Sequence, residues 1–586
     1  MTPMISHIRQ WVCTSLLFVL IGLPANAQPF RDLYSDTWVA VDALGRSLPA
    51  YEECGPPKAD RTVGIFYFLW LGQHSTNGPF DITELLKANP DDPQWGSPGA
   101  FHHWGQSELG YYTSDSDYAI RRHARMLEAA GIDTLIFDVT NAFTYPDIYK
   151  KLCRIYTGLR GEGQSTPQIM FLTHSASGKT IQTLYDDFYA KNLYPDLWFR
   201  WKGKPLILGS AENLPDNIRS FFTIRDCWAW THGKDTWQWL DNWPQRYGWH
   251  ESEDRPEEMS VSVAQHPTSN IGRSHLKGKQ PQADAVGVTP DTGRGLYFQQ
   301  QWDRALQVSP EFLFITGWNE WVAQRFLKEA GKPPGEMIGN PLDPGRTFFV
   351  DAYSAEYSRD IEPMKGGHTD NYYYQMIAGI RRYKGVRPPQ PALAPKTIAI
   401  DGMFDEWDDI APEFRDFIGD VEHRDEKGWG DAGRYTNTTG RNDLVTLKIA
   451  RDSESVYFYA QTDKPLTPRT DKHWMMLFID SDQNLATGWE GFDVVTNLTV
   501  DDTTTSLHAL EGKDWKPTVK GKMTYAAAGN QLEIAIPRKL LNLQADPVAF
   551  DFHWADNLQT TGDILEFARS GDSAPNRRFN YRYAAQ

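Results

Sequence analysis

Between residues 63 and 383 short apolar runs of strand length alternate with amphipathic runs of helix length, and this alternation constrains the chain more than any other feature. A strand that is apolar throughout, followed by a helix with one apolar stripe, is the unit of a parallel sheet with helical crossovers. Strands are expected at 63–70, 134–140, 168–174, 205–209, 227–231, 259–266, 312–318 and 347–353. Helices are expected at 117–130, 145–159, 180–191 and 302–308, with a last one at 371–383. Eight βα units over roughly 320 residues fit an α/β fold closed as a (β/α)8 TIM barrel with insertions better than an open doubly wound sheet. No Gly-rich fingerprint follows the first strand, which counts against nucleotide binding.

A chain of 586 residues exceeds what one core organises, so a second domain is expected. The segment 385–396 is dense in proline and has neither apolar period, as a linker does. Beyond it, in 397–586, short alternating strands are expected at 444–450, 455–462, 474–480, 532–536 and 550–554, a β-sandwich signature. At the other end, residues 11–23 form a largely apolar run followed by Ala25-Asn26-Ala27, so 1–27 is expected to be a secretory signal and 28–384 the barrel domain. That run is short of the about 20 apolar residues a membrane span needs. A periplasmic or secreted protein, not inserted in a membrane, is therefore expected.

The formal charge of -17 argues against nucleic acid as a partner, because phosphate binding needs clustered Lys and Arg. The chain holds 22 Trp and 26 Tyr, which serve either a large aromatic core or the stacking of sugar rings on indole faces. Removal of the signal leaves Cys54, Cys153 and Cys227, enough for one disulfide at most, with buried free thiols the alternative. Cys and His have no structural zinc spacing.

In a TIM barrel chemistry sits at the C-terminal ends of the strands, so polar residues directly after apolar runs are the ones that matter. The clearest such end lies in 312–321, where an apolar strand runs into Trp318, Asn319, Glu320 and Trp321. A carboxylate among indoles has a raised pKa or a strong partner, and Glu320 is the leading catalytic candidate. Asp138 closes the strand at 134–140, with Asn141 just beyond, and is the second candidate, although an Asp there also suits a cap. His174, Trp230 and His266 stand at other strand ends, and His103 and Trp104 lie in the first βα loop; these, with Asn141, Trp318 and Asn319 beside the two carboxylates, are expected to line substrate subsites. The loop after the last strand carries Asp351, Glu356, Arg359, Asp360, Glu362 and His368. Arg359 and His368 are expected to bind substrate, and Asp351, Glu356 or Asp360 to supply a carboxylate if Asp138 does not. Two carboxyl groups flanking a glycosidic bond are the requirement for glycoside hydrolysis. No Gly-x-Ser-x-Gly elbow offers a serine nucleophile. The rival readings are a glycan-binding protein without catalysis and a polysaccharide lyase.

The run Ile315-Thr-Gly-Trp-Asn-Glu-Trp321, together with Gly64-Ile-Phe-Tyr-Phe68 in the first strand, resembles the barrel enzymes of glycoside hydrolase family 99 and the related WbsX-type glycan-processing proteins. The resemblance covers roughly residues 60–385 and implies a catalytic role for Glu320, as the group assisting the sugar's own 2-hydroxyl. The family's general acid lies three residues further on, where this chain has Ala323. The C-terminal part resembles family-9-type carbohydrate-binding modules in Ile400-Asp-Gly-Met-Phe-Asp-Glu-Trp407 and in the stretch 477–489. Asp480, Asp482 and Asn484 in that stretch offer oxygen ligands of the kind calcium takes, and equally suit a tight turn. Trp407 and Trp489 suit either sugar stacking or a sandwich core. No cofactor is required by this chemistry, and the expected partner is a polysaccharide or oligosaccharide.

Overall fold

A computed structural model describes residues 31–265, 270–327, 335–337, 340–342, 345–349 and 353–585. The expected signal lies outside them. Seven strands run parallel: β1 (Thr62–Tyr67), β2 (Thr134–Val139), β3 (Gln168–Thr173), β4 (Lys204–Leu208), β5 (Thr223–Cys227), β6 (Pro256–Ser262) and β7 (Phe312–Thr316). They lie in the order β6-β7-β1-β2-β3-β4-β5. Rungs such as Leu313↔Val63, Ile65↔Leu135 and Leu135↔Ile169 fix the register. β2 is buried along its whole length, as a stave covered on both faces must be.

The alternation predicts eight staves, and seven parallel ones are found among the described residues. The gap between β5 and β6 is filled by two-residue strands: Thr236–Trp237 runs parallel to β5 and Gly248–Trp249 antiparallel to β6. Asp235 N–H donates to the Trp249 carbonyl at 2.7 Å and links the two. The expected stave at 347–353 is instead Thr347–Phe349, which pairs antiparallel with Val322–Leu327 in a small sheet that also holds Phe101–His103 and Phe80–Asp81. Thr347 and Phe348 are half-buried and only Phe349 of the three is buried, which suits an edge and not a stave covered on both faces. The strand expected at 227–231 begins earlier, at Thr223, because Arg225 interrupts the apolar run. That guanidinium forms a buried pair with Glu257 of β6, at 2.6 and 2.7 Å. Trp201 and Trp237 donate to the same carboxylate at 2.7 and 2.9 Å.

The crossover helices include α1 (Asp117–Ala130), α2 (Pro146–Gly161), α3 (Ser177–Leu184), α4 (Asp216–Phe221) and α5 (Leu296–Val308), and α6 (Asn371–Lys384) closes the domain. α1 starts where the Ser116 hydroxyl accepts from Ala119 N–H and ends at Gly131, whose φ of 81° is a left-handed cap. No helix among the described residues is long and apolar enough to cross a membrane. Cys54, Cys153 and Cys227 are all buried free thiols.

Past the proline-rich segment the chain supplies 11 of the 12 strands of an antiparallel sheet that folds over on itself. The expected strands appear as Leu444–Arg451, Ser455–Thr462, Met476–Asp480, Gln531–Pro537 and Ala549–Asp556. Phe458 and Phe550, on strands that are not neighbours, meet at 5.6 Å, and Phe414 reaches both Phe552 and Tyr581 at 5.0 and 5.2 Å. These contacts are the inside of a sandwich. Trp407 and Trp489 are core residues: both are buried, and the Trp407 indole donates to Glu533 at 2.9 Å.

The two parts are tightly joined. Val39–Ala40, from the N-terminal segment, forms the edge strand beside Phe579–Ala584. Arg577 holds Glu108 with two bonds of 2.8 and 2.7 Å, and Arg578 holds Asp370 at 2.8 Å.

Candidate active site

The end of β7 is clamped to β1 by a side chain that imitates backbone. Trp318 N–H donates to the Phe66 carbonyl at 2.9 Å. The Asn319 carboxamide then accepts from Phe68 N–H at 2.8 Å and donates to the Phe68 carbonyl at 3.2 Å. A carboxamide has the donor and acceptor of a peptide group, so it adds one rung after the strand has ended. Glu320 follows at the barrel mouth. Its N–H donates to Asp360 Oδ1, and its carboxylate accepts from Arg359 Nη2 at 2.5 Å.

Asp138 arrives by strand parity. Leu135, Phe137 and Val139 pack toward the helices, whereas Ile136 joins Phe66, Met170 and Phe314 in the barrel interior. With a period of two, Asp138 shares the interior face with Ile136, one pleat nearer the mouth. Burial raises its pKa, against bonds from Thr140 N–H at 3.0 Å, the Thr140 hydroxyl at 2.8 Å and the Trp70 indole at 3.3 Å, and against the charge of Arg359.

Asp138 and Glu320 are the two carboxylates lining a cleft of about 1010 Å³ among the described residues. Its walls include Phe68, Trp70, Phe101, Trp228, Trp230 and Trp239, with Asn141 and Arg359 as further polar lining. The Arg359 guanidinium sits over the Trp239 ring at 5.3 Å, a cation–π contact that fixes it between indole and carboxylate. The Trp230 indole donates to Gln265 at 3.1 Å.

Of the residues expected to bind substrate, Asn141, Trp230 and Arg359 line this cleft. His174 stands one ring away, stacked on Trp228 at 3.4 Å. The other placements are corrected. Asn319 and Trp318 are buried, the one spent on Phe68 and the other packed edge-on against His123 and Tyr373. His103 lies between Tyr111 and Trp429 of the second domain, at 4.8 and 4.9 Å, and burial lowers its pKa to about 3. Trp104 is stacked on Trp321 at 4.9 Å, with its indole donating to Asp360 at 2.6 Å. His368 is buried between Trp104 and Tyr372, its pKa lowered well below normal, by burial first and Arg273 second. A large polar or aromatic side chain near a strand end reads the same in sequence whether it faces the cleft or supports the wall behind it. His266 and Asp351 lie outside the described residues.

The acidic loop supports the site from below. Asp360 is fully buried and bonded to both Glu320 N–H and Trp104; burial pushes it up to about 7, opposed by Arg273 and Trp104. Glu356 accepts from Ser274 at 2.9 and 2.6 Å, Gln280 at 2.8 Å, and Thr289 and Thr292 at 3.0 and 2.9 Å, far too many bonds for a free catalytic group. Glu362 is taken by Ser107, Tyr112, His123 and Trp321. Trp70, missed in the sequence, was detectable at the end of an expected strand, whereas Trp228 falls near the start of the strand expected at 227–231 and stands at a strand end only because β5 stops at Cys227. Trp239 sits in the insertion between β5 and β6, where no pattern marks it.

In the second domain, oxygens of Asp480, Asp482 and Asp493 lie within 4.8 Å of one another. The Asn484 carboxamide oxygen accepts from Ala486 N–H at 3.1 Å, and its backbone N–H donates to Asp482 at 2.9 Å.

No protein-family model matches the chain, and no curated protein does. Among solved structures the chain is similar to a GH99 endo-alpha-mannosidase from Bacteroides thetaiotaomicron, at 15% identity over 55% of this chain and 97% of that one, with a TM-score of 0.31. It is similar to an alpha-fucosidase from Thermotoga maritima at 10% identity, over 85% and 96% of the two chains, with a TM-score of 0.22. A carbohydrate binding module of family 9 from Caldicellulosiruptor kristjanssonii, in complex with glucose, matches 32% of this chain and 83% of its own at 12% identity and a TM-score of 0.16. At TM-scores this low the likeness carries no argument about chemistry.

Proposed function

We propose that the chain is an exported glycoside hydrolase acting on a polysaccharide or complex glycan, with Asp138 and Glu320 as its carboxyl pair. The observation that carries this reading is that these two line one cleft walled by indole and phenyl rings. Rings of this kind hold sugar faces, and two carboxyl groups across the bond supply proton and electrons for its cleavage. Asp138, raised by burial, is the proton donor. Glu320, anchored by Arg359, is the nucleophile or the base. The reaction runs on these side chains without a cofactor. Ala323 lines the same cleft, so this assignment takes the donor from a barrel stave and not from the small sheet at the rim.

The test is reducing-sugar release from a panel of polysaccharides by wild type and by Glu320→Gln. Wild type is expected to release sugar, and the variant to lose turnover by roughly 10²–10⁴-fold while still binding the glycan. Full turnover in Glu320→Gln sinks the assignment. Glycan binding without release by wild type favours a binding protein, and product absorbance of an unsaturated uronate favours a lyase.

A further inference from the structure

Where the second domain meets α1, four aspartates come together at a point the hydrolytic cleft does not use. Arg125 of α1 donates to the Gly419 carbonyl at 3.0 Å and to Glu422 at 2.8 and 2.7 Å, and so holds the loop 416–422 against the barrel. Asp416 and Asp420 of that loop, Asp443 at the start of Leu444–Arg451, and Asp572 are 0%, 4%, 7% and 4% exposed. Oxygens of Asp416, Asp420 and Asp572 lie within 4.8 Å of one another.

Each carboxylate is oriented by an N–H donor on one oxygen. Asn576 Nδ2 donates to Asp420 Oδ2 at 2.6 Å and reaches Asp416 Oδ1 at 3.4 Å. Gly419 N–H donates to Asp443 Oδ2 at 2.7 Å, and Leu444 N–H to Asp572 Oδ2 at 2.6 Å. Asp443 is therefore fixed between the loop and Asp572. The other oxygens, Asp416 Oδ2, Asp420 Oδ1 and Asp443 Oδ1, are buried with no hydrogen-bond partner among the described residues. The nearby guanidinium groups are engaged with other acceptors: Arg125 as above, and Arg31 with the Asp416 and Val445 carbonyls.

Unpaired buried carboxylates cost several kcal/mol each unless a cation or a proton neutralises them. The donor set is all oxygen, which excludes the Cys and His sites of zinc. Two oxygens on opposite sides of a calcium ion stand about 4.6–5.2 Å apart, twice the Ca–O distance, so oxygens all within 4.8 Å of one another can share one ion. Magnesium keeps several waters, whereas calcium accepts a cage made by the protein. We propose that Asp416, Asp420 and Asp572, with Asp443 beside them, bind a calcium ion that pins the loop 416–422 and, through Arg125, the second domain to the barrel.

The test uses the full chain, stripped with chelator and titrated calorimetrically with CaCl2 or MgCl2, beside thermal denaturation. Asp482→Asn/Asp493→Asn removes the other acidic group and leaves the three ligands intact. That chain is expected to bind one calcium ion and gain several degrees in Tm, with no comparable gain from magnesium. Adding Asp420→Asn is expected to abolish both. Overturning results are no calcium bound by Asp482→Asn/Asp493→Asn, which needs no ligand variant to fold, or unchanged binding after Asp420→Asn.

Discussion

Asp360 should make the protein lose stability as pH rises through neutrality. It is fully buried beneath Glu320, and its carboxyl is pushed up to about 7 from an ordinary 3.8. A group with a raised folded pKa binds its proton more tightly in the folded chain, so its contribution is fully present below the unfolded pKa and is lost as pH rises through the folded one. The window runs from about pH 4 to 7. At 1.36 kcal/mol per pH unit, the part between pH 5 and 7 is about 3 kcal/mol. Asp360→Asn keeps the shape and cannot titrate. It offers one oxygen to two donors, Glu320 N–H and the Trp104 indole, so it should be destabilised by a pH-independent roughly 1–3 kcal/mol. Guanidinium denaturation of both proteins at pH 5, 6, 7 and 8, followed by Trp fluorescence, separates offset from slope. Wild type should be the more stable at pH 5, with the gap closing by about 3 kcal/mol at pH 8. Parallel curves across that range would refute the reasoning.

Asp138→Asn removes the assigned proton donor, so hydrolysis of a natural glycan should fall by roughly 10²–10⁴-fold while an aryl glycoside with a good leaving group falls far less. Equal losses on both substrates would exclude Asp138 as the acid. Trp230→Ala should raise KM about tenfold with kcat nearly unchanged, as loss of uniform binding does; an unchanged KM in steady-state kinetics counts against a sugar face on that ring. Glu257→Gln leaves the Arg225 guanidinium buried without its charge partner and should cost about 3–5 kcal/mol in a denaturant titration; a cost below about 1 kcal/mol would mean that the site admits water.

The parts of the fold legible in the sequence are those where burial alone chose the residues. β2 and β3 are apolar on both faces and appear within a residue of where the pattern puts them. β5 and β6 do not, because Arg225 and Glu257 cross the sheet as a charged pair capped by two indoles. Each charge looks like a surface residue in a linear scan, and only the pairing, 32 positions apart, makes it a core residue. Thr347–Phe349 failed in the opposite sense. The run 347–353 reads as a stave, but its first three residues are also enough for an edge strand with one buried side, and local composition does not distinguish them.

The site divides along the same line. Glu320 and Asp138 follow from two rules that act locally: polar residues after an apolar strand, and alternation along it. What the rules cannot supply is depth. Trp104, Asn319, Asp360 and His368 have the same composition as cleft residues, yet they form the layer beneath. Asn319 splices β7 to β1, Asp360 takes the Glu320 N–H, and Trp104 caps Asp360. A mobile carboxylate could not keep its distance from a second one across a cleft, and that distance decides which chemistry a carboxyl pair performs. The residues that looked catalytic but are buried therefore hold Glu320 in one position, and their number reflects the cost of placing a charged group at the end of an apolar strand.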